Sequence, residues 1–220
     1  MAVIGRPRGF DRDAALEAAM LLFWRKGFAT TSMNDLCDTM GVRSPSLYAA
    51  FGSKKALYLE AVEHYVRTQG PPVWDKLAEG ATARAGIEKL LIAGTGSLPK
   101  SRATPAGCMA VLAAIGDEWP AAITRVVKKV RLEMLGMLRS RLETAVAKGE
   151  LPASTDIDGL SRFYLSVFQG MAVQAKDGAT QAELRSVAAR PWLLGQATPR
   201  GSPWEIRFST VASRDASDRR

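Results

Sequence analysis

Ser44, Ser46 and Tyr48 place three hydroxyls within five residues, beside the compact Pro45 and ahead of Ala49 and Ala50. Lys54 and Lys55 add two ammonium groups shortly downstream. Together these side chains suit a polyanion with readable edges. Small residues let a backbone approach base edges closely, and apolar ones can touch thymine methyls. Hydroxyls and ammonium groups hold phosphates. Covalent chemistry has far less to work with. The chain has one histidine, His64, and two cysteines, Cys37 and Cys108, with no CxxC. That set cannot build a tetrahedral zinc site. A nucleophile elbow and a phosphate loop are both missing. No catalytic residue, metal or cofactor is therefore expected, although helical hairpins of similar spacing also occur in enzymes.

The elements that must present these residues can be read locally. Ser32 followed by Asp35 is a capping box, so a helix starts near Met33. Leu36, Cys37 and Met40 give it one apolar face, and Gly41 supplies its left-handed stop. Val42 is expected as a buried anchor in the turn. Ser44 then caps a second helix with Pro45 in its first turn. Leu47 and Phe51 point into the core, Gly52 ends the helix and Ser53 caps the next. Tyr48, about 100° round from Leu47, faces outward. Lys54 and Lys55 fall at a helix start, where backbone N–H groups also attract phosphate. This is the layout of a helix-turn-helix, whose second helix enters the DNA major groove.

Ala15-Leu16, Ala18-Ala19, Leu22-Phe23, Gly27-Phe28, Thr31-Ser32, Leu36-Cys37, Gly41-Val42, Leu47-Tyr48, Phe51 and Ser53-Lys54 resemble, at ungapped spacing, the N-terminal pattern of TetR-family transcription regulators. The resemblance covers about the first 60 residues. It implies an all-α homodimer: an N-terminal three-helix helix-turn-helix head, and a C-terminal helical bundle that senses a ligand and dimerises through a four-helix interface. Many members carry an aromatic and a histidine after the Leu-Tyr pair, where this chain has Ala49 and Ala50. Candidate DNA contacts are Arg6, Arg8, Thr31, Ser32, Arg43, Ser44, Pro45, Ser46, Tyr48, Ala49 and Lys54. The expected partners are a double-stranded DNA operator, an unidentified small-molecule effector and a second copy of the chain, with no membrane.

Composition agrees with this picture without proving it. The net charge of +8 favours an anionic partner. Residues 1–70 hold nine Lys/Arg against seven Asp/Glu, so the head is only +2; residues 125–148 hold seven against two, or +5. DNA binding must then rest on placed cations rather than on a highly charged head. No run of 18 apolar residues or signal peptide is visible, so a cytoplasmic chain with reduced thiols is expected.

The expected organisation is a flexible basic arm (1–9), a DNA-binding domain with its linking helix (10–70), a sensing and dimerisation domain (71–194) and a disordered tail (195–220). Arg6 and Arg8 in the arm read equally as minor-groove contacts or as incidental terminal charge. Helix one spans about Asp11 to Lys26. The linking helix spans about Ser53 to Thr68, with Leu57, Ala61 and Tyr65 inward, and Gly70-Pro71-Pro72 ends it. A helix follows from about Ala83 to Ser97, capped by Thr82. Another, apolar on most sides, runs from Pro105 to Ile115. A long one from Trp119 to Lys148 turns Ile123, Val127, Val130, Met134, Met137 and Ala145 inward.

Thr155 and Asp158 are expected to cap a helix from about Ile157 to Lys176. It is apolar almost all round, which calls for burial on every side and so for a second subunit. Thr180 and Glu183 cap the last helix, to about Arg190. Gly159, Ser166, Gly170, Leu184 and Val187 are the candidate dimer contacts. Candidate effector contacts are Tyr65, Cys108, Met109, Met134, Met137, Phe163, Phe168 and Met171, which favour a mostly apolar effector. Cys108 reads either as a thiol sensor, if Arg102 or a helix N-terminus lowers its pKa, or as a small buried apolar residue.

Overall fold

A computed structural model describes residues 11–115 and 118–190. Arg6, Arg8, the basic arm and the 195–220 tail lie outside the described residues. Among the described residues the fold is all helical, with no strand.

The head is built from α1 (Arg12–Lys26), α2 (Met33–Met40) and α3 (Ser44–Phe51), packed on the first half of α4 (Lys54–Gln69). Each helix starts where local chemistry demands. The Asp11 side chain caps α1 by accepting from the N–H groups of Asp13 and Ala14. Ser32 and Asp35 form the complete capping box of α2. Gly41 takes φ 64°, ψ 32°, the left-handed conformation that turns the chain into α3. Ser53 caps α4 through the Ala56 N–H. The head core is closed by Ala19, Met20, Phe23, Leu36, Leu47, Leu57 and Tyr58, all almost fully buried.

The body continues through α5 (Pro71–Trp74), a 3₁₀ turn (Asp75–Leu77), α6 (Ala83–Ser97), α7 (Met109–Leu112), α8 (Ala121–Ala147), α9 (Ile157–Lys176) and α10 (Gln181–Ala189). Helix α4 belongs to both parts, since its C-terminal half packs on α5, α7 and α8. Arg131 of α8 ties α7 down by donating to the carbonyls of Ala110 and Ala113 at 3.1 and 2.9 Å.

Several expectations are corrected. Arg43, not Ser44, is the N-cap of α3; Ser44 is its first residue and Pro45 its second. Val42 is half-buried rather than buried. Gly70-Pro71-Pro72 ends α4 at Gln69 as expected, but a further short helix follows at once. Gly70 stays right-handed, and Pro71 opens α5, because proline loses nothing at a first helical position. Only Met109–Leu112 of the 105–115 segment is helical; Gly107, at φ 83°, bends the chain ahead of it. Helix α8 starts at Ala121, after Pro120, rather than at Trp119. Its core stripe uses Leu138 and Leu142, while Met137 is exposed. Asp156 caps α9, leaving Asp158 to pair with Arg139 and Arg162.

Helix α9 is not buried on all sides of the protomer. Phe163 and Val173 are 39% and 44% exposed. Ser166 is exposed too, and nothing lies within 4 Å of where a side chain at Gly170 would begin. At a spacing of three, four and three residues, these positions form one stripe.

Candidate nucleic-acid interface and ligand cavity

Helix α3 is anchored by two side chains. Leu47 and Phe51 are buried, and Ser44, Pro45, Ser46, Tyr48 and Ala49 are exposed, as is Arg43 at the cap. A helix of eight residues held at Leu47 and Phe51 presents the remainder of its surface outward. Tyr48 is 48% exposed. The Arg12 guanidinium lies 4.5 Å from the centre of the Phe51 ring and bonds Glu60 of α4 at 2.6 Å, bracing α3 from behind.

Three expected contacts stand differently. Thr31 is fully buried, and its hydroxyl donates to the Gly27 carbonyl at 2.6 Å, so it offers DNA no side chain. Ser32 is exposed, but its hydroxyl is engaged with Asp35 in the capping box. The Ser32 N–H and hydroxyl, with the Lys26 ammonium 2.9 Å from its other oxygen, hold the Asp35 carboxyl well below the ordinary carboxylate range. Lys54 folds back over the Phe28 ring, 4.5 Å from its centre, and reaches the Ala29 carbonyl at 3.4 Å. Partial burial draws its ammonium below the usual lysine range, with Asp35 opposing. Lys55, beside it, is exposed.

A cavity of about 200 Å³ opens in the body under the head. Tyr65, Cys108, Met134, Met137 and Phe168 all line it. Met109 faces a different cavity. Met171 is fully enclosed in the core and does not line the space. Phe163 lies on the exposed stripe of α9 instead, against Tyr164.

The sequence reading missed much of the wall: Val66, Gln69, Pro71, Val73 and Leu98 line the space, with Asp75 and Glu133. Most belong to the α4–α5 corner, which follows only if Pro-Pro is read as a helix start. Trp24 of the head also lines it, packed edge-on against Tyr65 with ring centres 4.9 Å apart. Trp74 meets Phe168 at 5.2 Å.

Cys108 is buried at the cavity wall and accepts a hydrogen bond from the Tyr65 hydroxyl at 3.2 Å. Burial pushes the thiol up. The Tyr65 hydroxyl, the Val111 and Ala110 N–H groups and Arg131 oppose this without reversing it. Arg102 plays no part, and the cation near the sulfur is Arg131. Burial, then Cys108, push the Tyr65 phenol well above its ordinary value.

His64 bridges α4 to α1, 2.6 Å from Glu17, with Arg67 2.9 Å from its other ring nitrogen. The histidine thus joins two helices of the head. The candidate dimer contacts divide. Ser166, Gly170 and the half-buried Val187 are accessible, but Leu184 is sealed in its own protomer's core between α10 and α6. At Gly159 a side chain would strike the Asp156 carboxylate at 2.3 Å, so this glycine serves its own helix cap. Among the described residues no helix is long and apolar enough to cross a membrane.

Comparison with known proteins agrees with this geometry. Residues 15–61 match the bacterial regulatory proteins of the tetR family, and residues 86–189 match the tetracyclin repressor-like C-terminal domain. The HTH-type transcriptional repressor ComR of Escherichia coli (strain K12) is 31% identical over 198 residues, spanning 84% of this chain and 88% of that one. The HTH-type transcriptional repressor BdcR of the same strain is 28% identical, over 85% of this chain and 90% of that one. Among solved structures, a cysteine-substituted mutant of the TetR-family regulator CifR, complexed with 26-bp double-strand operator DNA, superposes with a TM-score of 0.81. It is 39% identical, and the match covers 89% of this chain and all of that one.

Proposed function

The chain belongs to the TetR family of DNA-binding transcription regulators, and from that membership we propose that it is a cytoplasmic, homodimeric repressor released from its operator by a small apolar effector. The observation that carries the reading is α3, held at Leu47 and Phe51 with its small polar residues turned outward. Two such helices, one from each protomer, must lie about 34 Å apart or a multiple of that to read successive major grooves. Arg43, Tyr48 and Lys55 anchor phosphates, while Ser44, Pro45, Ser46 and Ala49 face base edges. The exposed stripe of α9 and Val187 of α10 form the two-fold interface, with close helix approach at Gly170. The chain has no catalytic role in this reading.

The effector acts on α4. Tyr65, Val66 and Gln69 line the cavity, and Trp24 links it to α1. A ligand that fits best when α4 is displaced favours mis-spaced heads and weakens DNA binding, by a coupling of about 1–3 kcal/mol in typical cases. The thiol gives a second reading, because Cys108 lines the same space and a thiol-reactive effector would meet it there. Its raised pKa leaves little thiolate at neutral pH, which favours non-covalent binding.

Selection of duplexes from a random pool tests the main reading. The expected product is a two-fold symmetric site. A pool that yields no enriched sequence, or binding that depends only on salt, overturns sequence-specific regulation. Cys108→Ser decides between the effector modes. Unchanged release by every oxidant and electrophile removes the thiol reading and leaves the apolar one.

A further inference from the structure

Trp24 lines a second cavity as well, of about 230 Å³, where head and body meet. Its walls come from the last turn of α1, from α4 at Tyr58, from α7, from Trp119 ahead of α8 and from Lys176 at the end of α9. Three cations reach it, Arg25, Lys26 and Lys176, and none of the described residues lining it is acidic. Asp35 already pairs with Lys26 at 2.9 Å. Arg25 and Lys176 are exposed, and neither forms an ion pair among the described residues. The carboxyl ends of α1 and α9 favour cations, which accounts for charge at those positions. It does not account for the apolar floor between them, formed by Tyr58, Met109 and Trp119. The indole N–H of Trp24 is buried and meets no acceptor. A buried donor left unmade is costly, and Trp24 lines both this cavity and the one beside Tyr65.

We propose that this junction cavity is a second binding site, for a small carboxylate that carries an aromatic or short aliphatic body. Arg25 and Lys176 hold the carboxylate, which guanidinium groups favour in paired geometry. The body of the ligand lies on Tyr58, Met109 and Trp119. Because one wall is the last turn of α1 and the others belong to α4, α7, Trp119 ahead of α8 and the end of α9, an occupant ties the head to the body. The site is separate from the cavity assigned to the apolar effector and does not depend on that assignment.

Calorimetric titration of the full chain without DNA tests it, with phenylacetate and octanoate as probes and 2-phenylethanol as the uncharged control. The expected result is saturable binding of at least one carboxylate at one site per chain, and binding of the alcohol weaker by about tenfold or more. The doubly substituted Arg25→Ala, Lys176→Ala chain, which loses only exposed side chains, should keep its helicity and bind the carboxylate at least about tenfold more weakly. Met137→Trp, which fills the other cavity, should leave carboxylate binding unchanged. Four outcomes overturn the proposal: neither carboxylate binds at millimolar concentration, the alcohol binds equally well, the double variant binds like the parent, or Met137→Trp abolishes binding.

Discussion

At the scale of single residues, α3 divides into positions that hold and positions that read. Tyr48 lies on the exposed face of α3 and Lys55 is exposed beside the α4 N-terminus, and in the proposed reading both anchor backbone phosphates. Tyr48→Phe and Lys55→Ala should therefore weaken every duplex alike, and Lys55→Ala should also reduce the salt slope by about one. Substitutions at Ser44, Ser46 or Ala49 should instead change the ranking of sequences. Competition assays across a panel of duplexes separate the two patterns, and a uniform loss from both sets removes the division. Lys54 shows what spacing alone could not reveal. Its position at a helix start was legible, but its ammonium is drawn onto Phe28 and Ala29 by a ring that arrives from the end of α1. The same holds for Thr31, whose hydroxyl is bonded to a carbonyl four residues back. Asp35 carries a pH prediction. Its folded pKa is depressed, so its contribution is complete above the unfolded value, about 4, and is lost as pH falls from there through the folded value. Asp35→Asn should accordingly lower thermal stability at pH 7, with the gap to the parent chain narrowing progressively below about pH 4. A gap that stays constant to low pH would mean that the charge on Asp35 is not what matters.

At the scale of elements, most helix starts with polar caps were legible because the cap and the donor it satisfies lie within four residues of each other; the caps of α3 and α9 fall one residue away from the expected Ser44 and Thr155, at Arg43 and Asp156. Ser32, Ser53, Thr82 and Thr180 all cap as their spacing requires. The elements that were not legible depend on distant groups. The 105–115 segment is apolar enough for a helix throughout, yet outside Met109–Leu112 it is irregular, with bends at Gly107 and Ala114. Leu98 takes the Gly107 N–H at 2.7 Å, and Arg131, from another helix, takes two of its carbonyls. No local pattern encodes those bonds. Gly107 is the hinge of this arrangement. Its φ of 83° suits glycine, and a side chain there would meet the Leu112 Cδ1 at 2.5 Å and the Ala172 carbonyl oxygen at 3.0 Å. Gly107→Ala should destabilise the chain by about 1–3 kcal/mol through overpacking alone, seen as a lower denaturation midpoint. Leu47→Ala, which removes one of the two anchors of α3, should cost about 2–5 kcal/mol and abolish DNA binding first. Should Gly107→Ala unfold at the parent midpoint, the tight approach of α7 to α9 would not be a constraint.

At the scale of the whole molecule, the head and the body are joined by aromatic rings rather than by a linker. Trp119, just ahead of α8, lies 6.1 Å from both Phe28 and Tyr58 of the head, and Trp24 lies over Tyr65 at the cavity. A movement of α4 therefore cannot leave α1 behind. Such coupling changes DNA affinity only if two heads are fixed to a common frame, and the proposed place for that frame is the exposed stripe Phe163, Ser166, Gly170 and Val173. Large apolar side chains standing in water, alternating with positions that carry little or no side chain, fit a close helix-to-helix contact across a two-fold axis. Val173→Glu places a charge at one end of that exposed stripe, on a side chain outside the protomer core. The protein should then keep its helicity and sediment as a monomer at micromolar concentration. Its affinity for an isolated half-site should be unchanged, while its affinity for the full site should fall by roughly a hundredfold or more, since the second half-site is no longer bound from a tethered partner. A Val173→Glu chain that still sediments as a dimer would place the two-fold axis elsewhere, and with it the spacing of the two α3 helices.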